Sequence, residues 1–129
     1  MSKLEEKVAT LLKENNVKYV REYVFQDLKN KGHLLRYDFA ILNKYNKVLC
    51  LIEVHGKQHM EYTPYFHKSK SEFRASQERD RKKAKYALLN NIPLLVIPYY
   101  EIDNLDINTL FTEKYVVTSK YYIDDMRES

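Results

Sequence analysis

Three side chains suited to metal binding or proton transfer lie in apolar parts of the sequence. Asp38 interrupts one apolar segment, and Glu53 and His55 lie two residues apart at the end of another. Side chains two apart on a strand share a face. An ionised carboxylate on a buried strand is costly unless it is paired or bound to a cation. Two such acids on neighbouring strands predict a divalent-ion site, and oxygen ligands favour Mg²⁺, with Mn²⁺ as a substitute.

A structural interpretation competes with the metal site. Each carboxylate could be a buried acid that an arginine satisfies, such as Arg21 or Arg36 beside Asp38. That alternative is the stronger one for either acid alone. It is the weaker one for Asp38 and Glu53 together, because two acids in register need more than one such partner.

Asp80 is a further candidate because it interrupts the apolar face of a predicted helix. That face consists of Phe73, Ala84, Ala87 and Leu88. We expect the following basic residues on the flanks and outer face: Arg79, Arg81, Lys82 and Lys83. Asp80 should therefore point toward the sheet, at His55 or a metal-bound water. The alternative is a salt bridge to a neighbouring basic residue.

Two histidines and an N-terminal acid complete the candidates. His59 follows Gly56 closely enough to reach a phosphate or a water, whereas we expect His67 to be a surface residue. Glu5 either acts near the metal or only closes a capping box with Ser2.

The elements that position these residues follow from hydrophobic periodicity. We predict an opening helix that stops at residues 15–16, strands over 17–25, 34–42 and 48–55, a helix over 71–91 and a strand over 92–99. The odd-numbered residues of the first strand should share one face. Short turns make the first three strands an antiparallel meander, and the long helix makes the last pair parallel.

The connecting segments are predicted with less regular structure. Turns are expected over residues 26–32 and 43–47, and an aromatic and basic loop over 57–70. A short helix is expected over 105–111. Residues 115–117 and 121–123 are predicted as either a strand or a docking segment.

Composition predicts the class of protein. At 129 residues the chain fits one α/β domain, with a core over residues 3–102 and a tail over 103–129. A single cysteine, Cys50, excludes a disulfide framework and a cysteine zinc site. No apolar run approaches the roughly 20 residues of a membrane span. We expect a cytoplasmic protein with no membrane partner and no organic cofactor.

The positive charge is concentrated in one part of the chain. The net charge is +4, and residues 57–85 hold nine Lys or Arg against four Asp or Glu. Such a segment either attracts a phosphate backbone or is a solvated helix face. The candidate DNA contacts are Lys57, Tyr62, Tyr65, Phe66, Lys68, Lys70, Arg74, Arg81 and Lys82. The aromatic members could stack on bases or wedge a duplex open, or simply pack the loop.

Five short motifs together resemble the PD-(D/E)XK nuclease superfamily, most closely its very-short-patch-repair-like and E-D-x-H-D homing endonuclease group. They are Leu4-Glu5-Glu6, Tyr37-Asp38-Phe39, Leu51-Ile52-Glu53-Val54-His55-Gly56, Glu78-Arg79-Asp80-Arg81 and Ile92-Pro93-Leu94-Leu95-Val96-Ile97. The resemblance covers residues 4–101 and implies a restriction-endonuclease-like α-β-β-β-α-β core with a mixed four-stranded sheet and a short C-terminal extension. His55 stands where the superfamily name has lysine. The chain lacks the tryptophan and the cysteine–histidine zinc site of the mismatch enzymes, so mismatch specificity is not implied.

The resemblance implies an Mg²⁺-dependent DNA endonuclease that leaves 5′-phosphates. Asp38, Glu53 and the Val54 carbonyl would hold the metal, His55 or His59 would act on water or phosphate, and Asp80 and Glu5 would assist. Two alternatives stay open: an inactive nuclease-fold DNA-binding module, and a structure-specific or RNA-directed nuclease. A tyrosine-rich assembly protein is a third interpretation. No separate DNA-reading motif is visible, so a homodimer or a targeting partner is expected to help select the target.

Overall fold

The computed structural model describes residues 2–61, 67 and 69–117, without the side chain of His59. Its centre is a four-stranded sheet in the order β1-β2-β3-β4. The strands are β1 (Tyr19–Asn30), β2 (His33–Leu42), β3 (Val48–His55) and β4 (Leu94–Pro98). The first three pair antiparallel, and β3 and β4 pair parallel. The predicted α/β class and mixed sheet are confirmed.

The helices lie on both faces of this sheet. They are α1 (Lys3–Glu14), α2 (Lys57–Met60), α3 (Lys70–Leu89) and α4 (Ile107–Leu110), with 3-10 turns at Tyr99–Asn104 and Glu113–Tyr115. The order helix, three strands, helix, strand agrees with the prediction, except that the short helix α2 lies within the segment expected as a loop over residues 57–70. The expected helix over residues 105–111 is only the single turn of α4.

Each face of the sheet has its own core. Val8 and Leu12 of α1 pack with Phe39, Ile52 and Ile97, all of them fully buried. On the other face the buried residues are Leu28, Leu35, Tyr37, Ala40, Leu42, Leu51, Ala84, Ala87 and Leu94. The α3 residues of this second core are alanines, so the helix backbone can lie close to the sheet. The prediction that Leu88 belongs to the buried face is wrong, because Leu88 is 41% exposed.

The alternation of side chains along β1 changes phase at Glu22. Tyr19 packs in the α1 core, whereas Tyr23 and Phe25 pack against the α3 core. Glu22 has φ 53°, a left-handed backbone conformation that costs a residue with a Cβ about 1 kcal/mol. The predicted single face for the odd-numbered residues of this strand is therefore wrong beyond Glu22.

The same change of phase occurs in β2, directly across the ladder. Tyr37 packs in the α3 core and Phe39 in the α1 core, with Asp38 between them. The pairs on either side, Arg21 with Phe39 and Tyr23 with Tyr37, place Glu22 opposite Asp38. Both strands therefore rotate at the position of the candidate acid.

The β1–β2 connection differs from the prediction of a turn over residues 26–32. β1 continues to Asn30 with a register shift between Val24 and Lys29, and only Lys31 and Gly32 form the turn. Both have positive φ, 51° and 82°, as a two-residue type I′ hairpin requires. Leu28 and Asn30 are buried, so the polar segment is a strand held against α3.

The end of the described chain docks along β4. Val116 forms an antiparallel bridge with Leu95, and the Val117 N–H donates to the Leu94 carbonyl at 2.8 Å. Residues 115–117 thus form a docking segment, and residues 121–123 lie outside the described part of the chain. No helix among the described residues is long and apolar enough to cross a membrane.

The hairpin turn generates a first prediction. Gly32→Ala should lower the free energy of unfolding by about 1 kcal/mol, because a Cβ disfavours positive φ. The cost should be conformational, since an added Cβ meets no heavy atom within 4 Å. Urea unfolding measures it. Lys31→Asn, which suits a left-handed position, should be neutral or stabilising; equal losses in both variants would contradict a type I′ turn.

Candidate metal and catalytic site

Asp38 is the acid on which the candidate site centres. Its carboxylate accepts a 2.7 Å hydrogen bond from the Val54 backbone N–H, beyond the last β2–β3 pair at Phe39 and Ile52. Burial raises the pKa of Asp38 to about 8, with a further increase from Glu53 and a smaller one from Glu5. The carboxyl therefore resists ionisation near neutrality. Asp38 thus contacts Val54 through the Val54 N–H, and the role of the Val54 carbonyl as a metal ligand stays a prediction.

Glu53 lies on the central strand β3 and is almost completely buried, at 3% exposure. Lys83 Nζ lies 3.0 Å from its Oε1. Burial raises the pKa of Glu53 to about 7, while Lys83 and the Asp38 backbone N–H lower it and Asp80 raises it. The loss of solvation on burial thus outweighs the ammonium of Lys83, and the ionised form of Glu53 is disfavoured.

Lys83 lies inside, which corrects the prediction that it occupies the flank or outer face of α3. Its side chain is 12% exposed, and its Nζ also donates to the Arg36 carbonyl at 3.1 Å and lies 4.0 Å from Asp80. Burial alone lowers the pKa of Lys83, but Glu53 and Asp80 outweigh it and leave the pKa raised. Lys83 shares the helical spacing of Asp80, Ala84 and Ala87, and that spacing could have identified it.

Asp80 points inward, as its place on the apolar face predicted. Its Oδ1 lies 3.9 Å from His55 Nε2, and the two side chains are 11% and 8% exposed. That distance is longer than a direct hydrogen bond, so the pair is an ionic contact when the imidazole is protonated. Lys83 thus links Glu53 to Asp80, and Asp80 lies beside His55. The fourth predicted residue, Asp38, is close enough to Glu53 for that acid to raise the pKa of Asp38.

A second group of acids meets at Asp38. Carboxylate oxygens of Glu5, Glu22 and Asp38 all lie within 4.8 Å of one another. Opposite ligands of a bound Mg²⁺ or Ca²⁺ are separated by about 4–5 Å, so this spacing suits one divalent ion. Glu22 was missed by the sequence analysis, because its position opposite Asp38 depends on strand register.

The donor set fits a hard cation, although it differs from the predicted one. Within the described part of the chain, the group of Glu5, Glu22 and Asp38 offers carboxylate oxygens, which Mg²⁺ and Mn²⁺ prefer over softer ligands. Glu5 belongs to this group, and its backbone N–H also donates to Ser2 Oγ at the start of α1; its role near a metal stays a prediction. Glu53 is paired with Lys83, and its predicted role as a metal ligand stays a prediction.

Several predicted contacts fall outside the described residues. These are the His59 side chain and residues Tyr62, Tyr65, Phe66 and Lys68. His67 is described, and the prediction that it lies at the surface is wrong. It is 6% exposed and packs edge-on against Phe73, with ring centroids 5.1 Å apart.

The other basic candidates lie along α2 and α3. Lys70 and Arg74 are exposed and Arg81 is half-buried. Lys57 forms an ion pair with Glu61 at 3.2 Å. Lys82 donates to Asn30 Oδ1 at 2.6 Å, so part of its bonding capacity is used within the fold.

Comparison with known proteins gives little functional information. No protein-family model matches the chain. No solved structure matches it either. A 48-residue stretch is 42% identical to "Uncharacterized protein 307L" of Invertebrate iridescent virus 6, covering 37% of this chain and 24% of the viral protein. The chain thus spans about a quarter of that relative, and the resemblance to the nuclease superfamily stays a prediction.

The raised pKa values of Asp38 and Glu53 predict how the metal-free protein responds to pH. Between pH about 4 and about 8 the folded state binds more protons than the unfolded chain, so stability should fall as pH rises. Asp38→Asn removes one titrating group and keeps an acceptor for Val54. In EDTA it should be more stable than wild type at pH 8, by about 1–3 kcal/mol, and closer to wild type at pH 5.

Denaturant unfolding at the two pH values measures this difference. Glu14→Gln, which neutralises an exposed acid at the end of α1, is the matched control and should change stability little at either pH. A wild-type protein that is more stable than Asp38→Asn at pH 8 in EDTA would contradict the unfavourable burial of this carboxylate.

The inward position of Lys83 predicts a strongly destabilising substitution. Lys83→Met should leave Glu53 buried without its ammonium and cost about 3–5 kcal/mol at pH 8. The loss should be smaller at pH 5, where Glu53 is protonated. Adding Glu53→Gln should restore much of the stability, as measured by thermal or urea unfolding. A loss that is independent of pH and is not rescued would show that Lys83 acts through packing alone.

Proposed function

We propose that the chain is a metal-dependent endonuclease of the PD-(D/E)XK type that hydrolyses phosphodiester bonds of DNA in the cytoplasm. The proposal rests chiefly on the half-buried Asp38 and the buried Glu53, two carboxylates on adjacent strands whose pKa values are raised to about 8 and about 7. Groups held at such a cost are typical of functional sites, and a divalent cation would relieve their repulsion.

The ligands we propose for Mg²⁺ or Mn²⁺ are Asp38 with acids that approach it, namely Glu53, Glu5 and Glu22. A metal bound there would polarise a phosphoryl oxygen and lower the pKa of a bound water. Among the described residues, carboxylate oxygens of Glu5, Glu22 and Asp38 are close enough to serve together. Glu53 would become a ligand only if its carboxylate contacted the metal ion and Lys83 at the same time.

The remaining groups act on water and phosphate. His55 accepts a proton from the attacking water, since imidazole is the side chain best suited to proton transfer near neutral pH, and Asp80 orients its ring. Lys83 Nζ, 3.0 Å from Glu53, supplies a positive charge that can donate to a phosphate oxygen. Lys83 would thus supply the ammonium group of the lysine in the superfamily name, a position at which this sequence has His55. His59 remains an alternative base.

Cleavage of supercoiled plasmid in Mg²⁺ or Mn²⁺ tests the proposal. Wild type should convert the plasmid to nicked or linear DNA, and Asp38→Asn, Glu53→Gln and EDTA should each reduce the rate by about a hundredfold or more. Glu14→Gln, purified in the same way, is the control for contaminating nucleases and should cut like wild type.

The pattern of failure discriminates between the alternatives. Cutting that persists in both acid variants would place the activity elsewhere or in a contaminant. Salt-sensitive DNA binding without cutting would favour the inactive binding module, and cleavage of RNA in place of DNA would favour an RNA-directed nuclease. Absence of both cutting and binding would leave the tyrosine-rich assembly interpretation.

A further inference from the structure

We infer that the outer part of the β1–β2 hairpin is a second contact surface for the phosphate backbone of duplex DNA, which begins beside the proposed site of cleavage and extends outward from it. The inference rests on the proposed function. The surface, called here the hairpin arm, consists of residues 28–36. It contains Lys29, Lys31 and Arg36, together with His33, and no Asp or Glu.

The charged side chains of the hairpin arm lie in solvent. Lys29, Lys31 and Arg36 are all exposed, and none of them forms an ion pair with another described residue. Some surface cations elsewhere, namely Lys7, Lys57 and Lys114, have an acidic partner within 4 Å. Others, including Lys18, Lys44 and Lys47, form no ion pair with a described residue, so the hairpin arm is distinguished by the clustering of its cations. Cations without neighbouring acids are the ones that can neutralise phosphates and release counterions.

Two of these cations share one face of the hairpin. Lys29 pairs with Leu34, and Arg36 lies two residues beyond Leu34 on the same side of β2. Leu35 and Tyr37 point to the other side, into the α3 core. The face with Lys29 and Arg36 is therefore turned away from α3.

The hairpin arm is held firmly by α3. Leu28 packs in the α3 core, and Asn30 Oδ1 accepts a 2.6 Å hydrogen bond from Lys82 Nζ. Tyr86 donates to Asp27 just before the arm begins. A surface that is already ordered loses less conformational entropy when it binds, which favours affinity.

The distance from the acids matches a DNA flank. Gly32 at the tip lies six residues along β2 from Asp38, which corresponds to about 20 Å of extended strand. A duplex that placed a phosphate at Asp38 and ran along the arm would present backbone about six base pairs away at Gly32. The arm would thus hold the duplex on one side of the cut. Lys29 and Lys31 were not among the predicted DNA contacts because residues 26–32 were predicted as a turn, and Arg36 was considered only as a partner of Asp38.

A pair of charge-matched triple variants tests this surface. The first carries Lys29→Gln, Lys31→Asn and Arg36→Gln; Asn suits the positive φ at position 31. The control carries Lys18→Gln, Lys44→Gln and Lys47→Gln, three exposed lysines at the opposite end of the sheet. Affinity for a labelled DNA duplex is measured over a series of salt concentrations in Ca²⁺, with plasmid cleavage in Mg²⁺ measured in parallel.

The salt dependence gives the decisive reading. The hairpin variant should reduce the slope of log K against log[salt] by about 2–3, because each lost phosphate contact contributes about 0.9. The control should reduce it by less than about 1. Equal slopes for the two variants, or a wild type that does not bind the duplex, would overturn the inference.

The two proposals can fail separately. If wild type cuts the plasmid and the hairpin variant binds with an unchanged slope, the contact surface is wrong and the nuclease assignment stands. If wild type binds with a slope that depends on the hairpin arm but never cuts, the surface stands and the nuclease assignment falls.

Discussion

The ion pair between Lys83 and Glu53 is the interaction on which the arrangement of this protein depends. Glu53 occupies the central strand of the sheet, where a lone carboxylate would be too costly to bury. Its partner comes from α3, so the pair fixes which side of that helix faces the sheet. With Lys83 directed inward, Asp80 comes within 3.9 Å of His55 and the alanines of α3 lie against the strands. One electrostatic requirement thus positions helix, core and candidate chemistry together.

The second constraint is the change of phase at Glu22 and Asp38. A regular β2 would keep Tyr37 and Phe39 on one face; instead they enter opposite cores, and the Asp38 carboxylate accepts from the backbone of β3. The left-handed backbone of Glu22 is part of the same distortion. Strain of this kind concentrates at functional sites, where it holds side chains that regular structure would separate. Here the distortion places Glu22 and Asp38 close to each other and to Glu5 of α1.

The sequence predicted the features that periodicity and composition control. The apolar run of β3 predicted where this strand begins and that it ends at His55. The apolar face of α3, interrupted by Asp80, predicted that Asp80 points toward the sheet. Lys83 was expected on the flank or outer face, because one lysine in a basic helix resembles its solvated neighbours, although its helical spacing from Asp80 and Ala84 was a signal for the inward face. Glu22 became a neighbour of Asp38 only through strand register. The end of β1 was predicted as a turn because its residues are mostly polar. His67 was predicted at the surface because lone histidines are usually exposed.

The negative charge of the acids around Asp38 explains why the proposed nuclease would need both a bound cation and a separate basic surface. Four carboxylates, from Glu5, Glu22, Asp38 and Glu53, lie at or beside the phase change, and among the described residues Lys83 is the ammonium that contacts this group. A phosphate would be repelled from such a region unless a divalent ion bound first. Under the proposed function, the attraction that would bring DNA to the protein must then come from elsewhere on the surface. The exposed, acid-free hairpin arm supplies positive charge on a rigid strand pair that leads directly to Asp38, so attraction and cleavage can be divided between adjacent parts of one sheet.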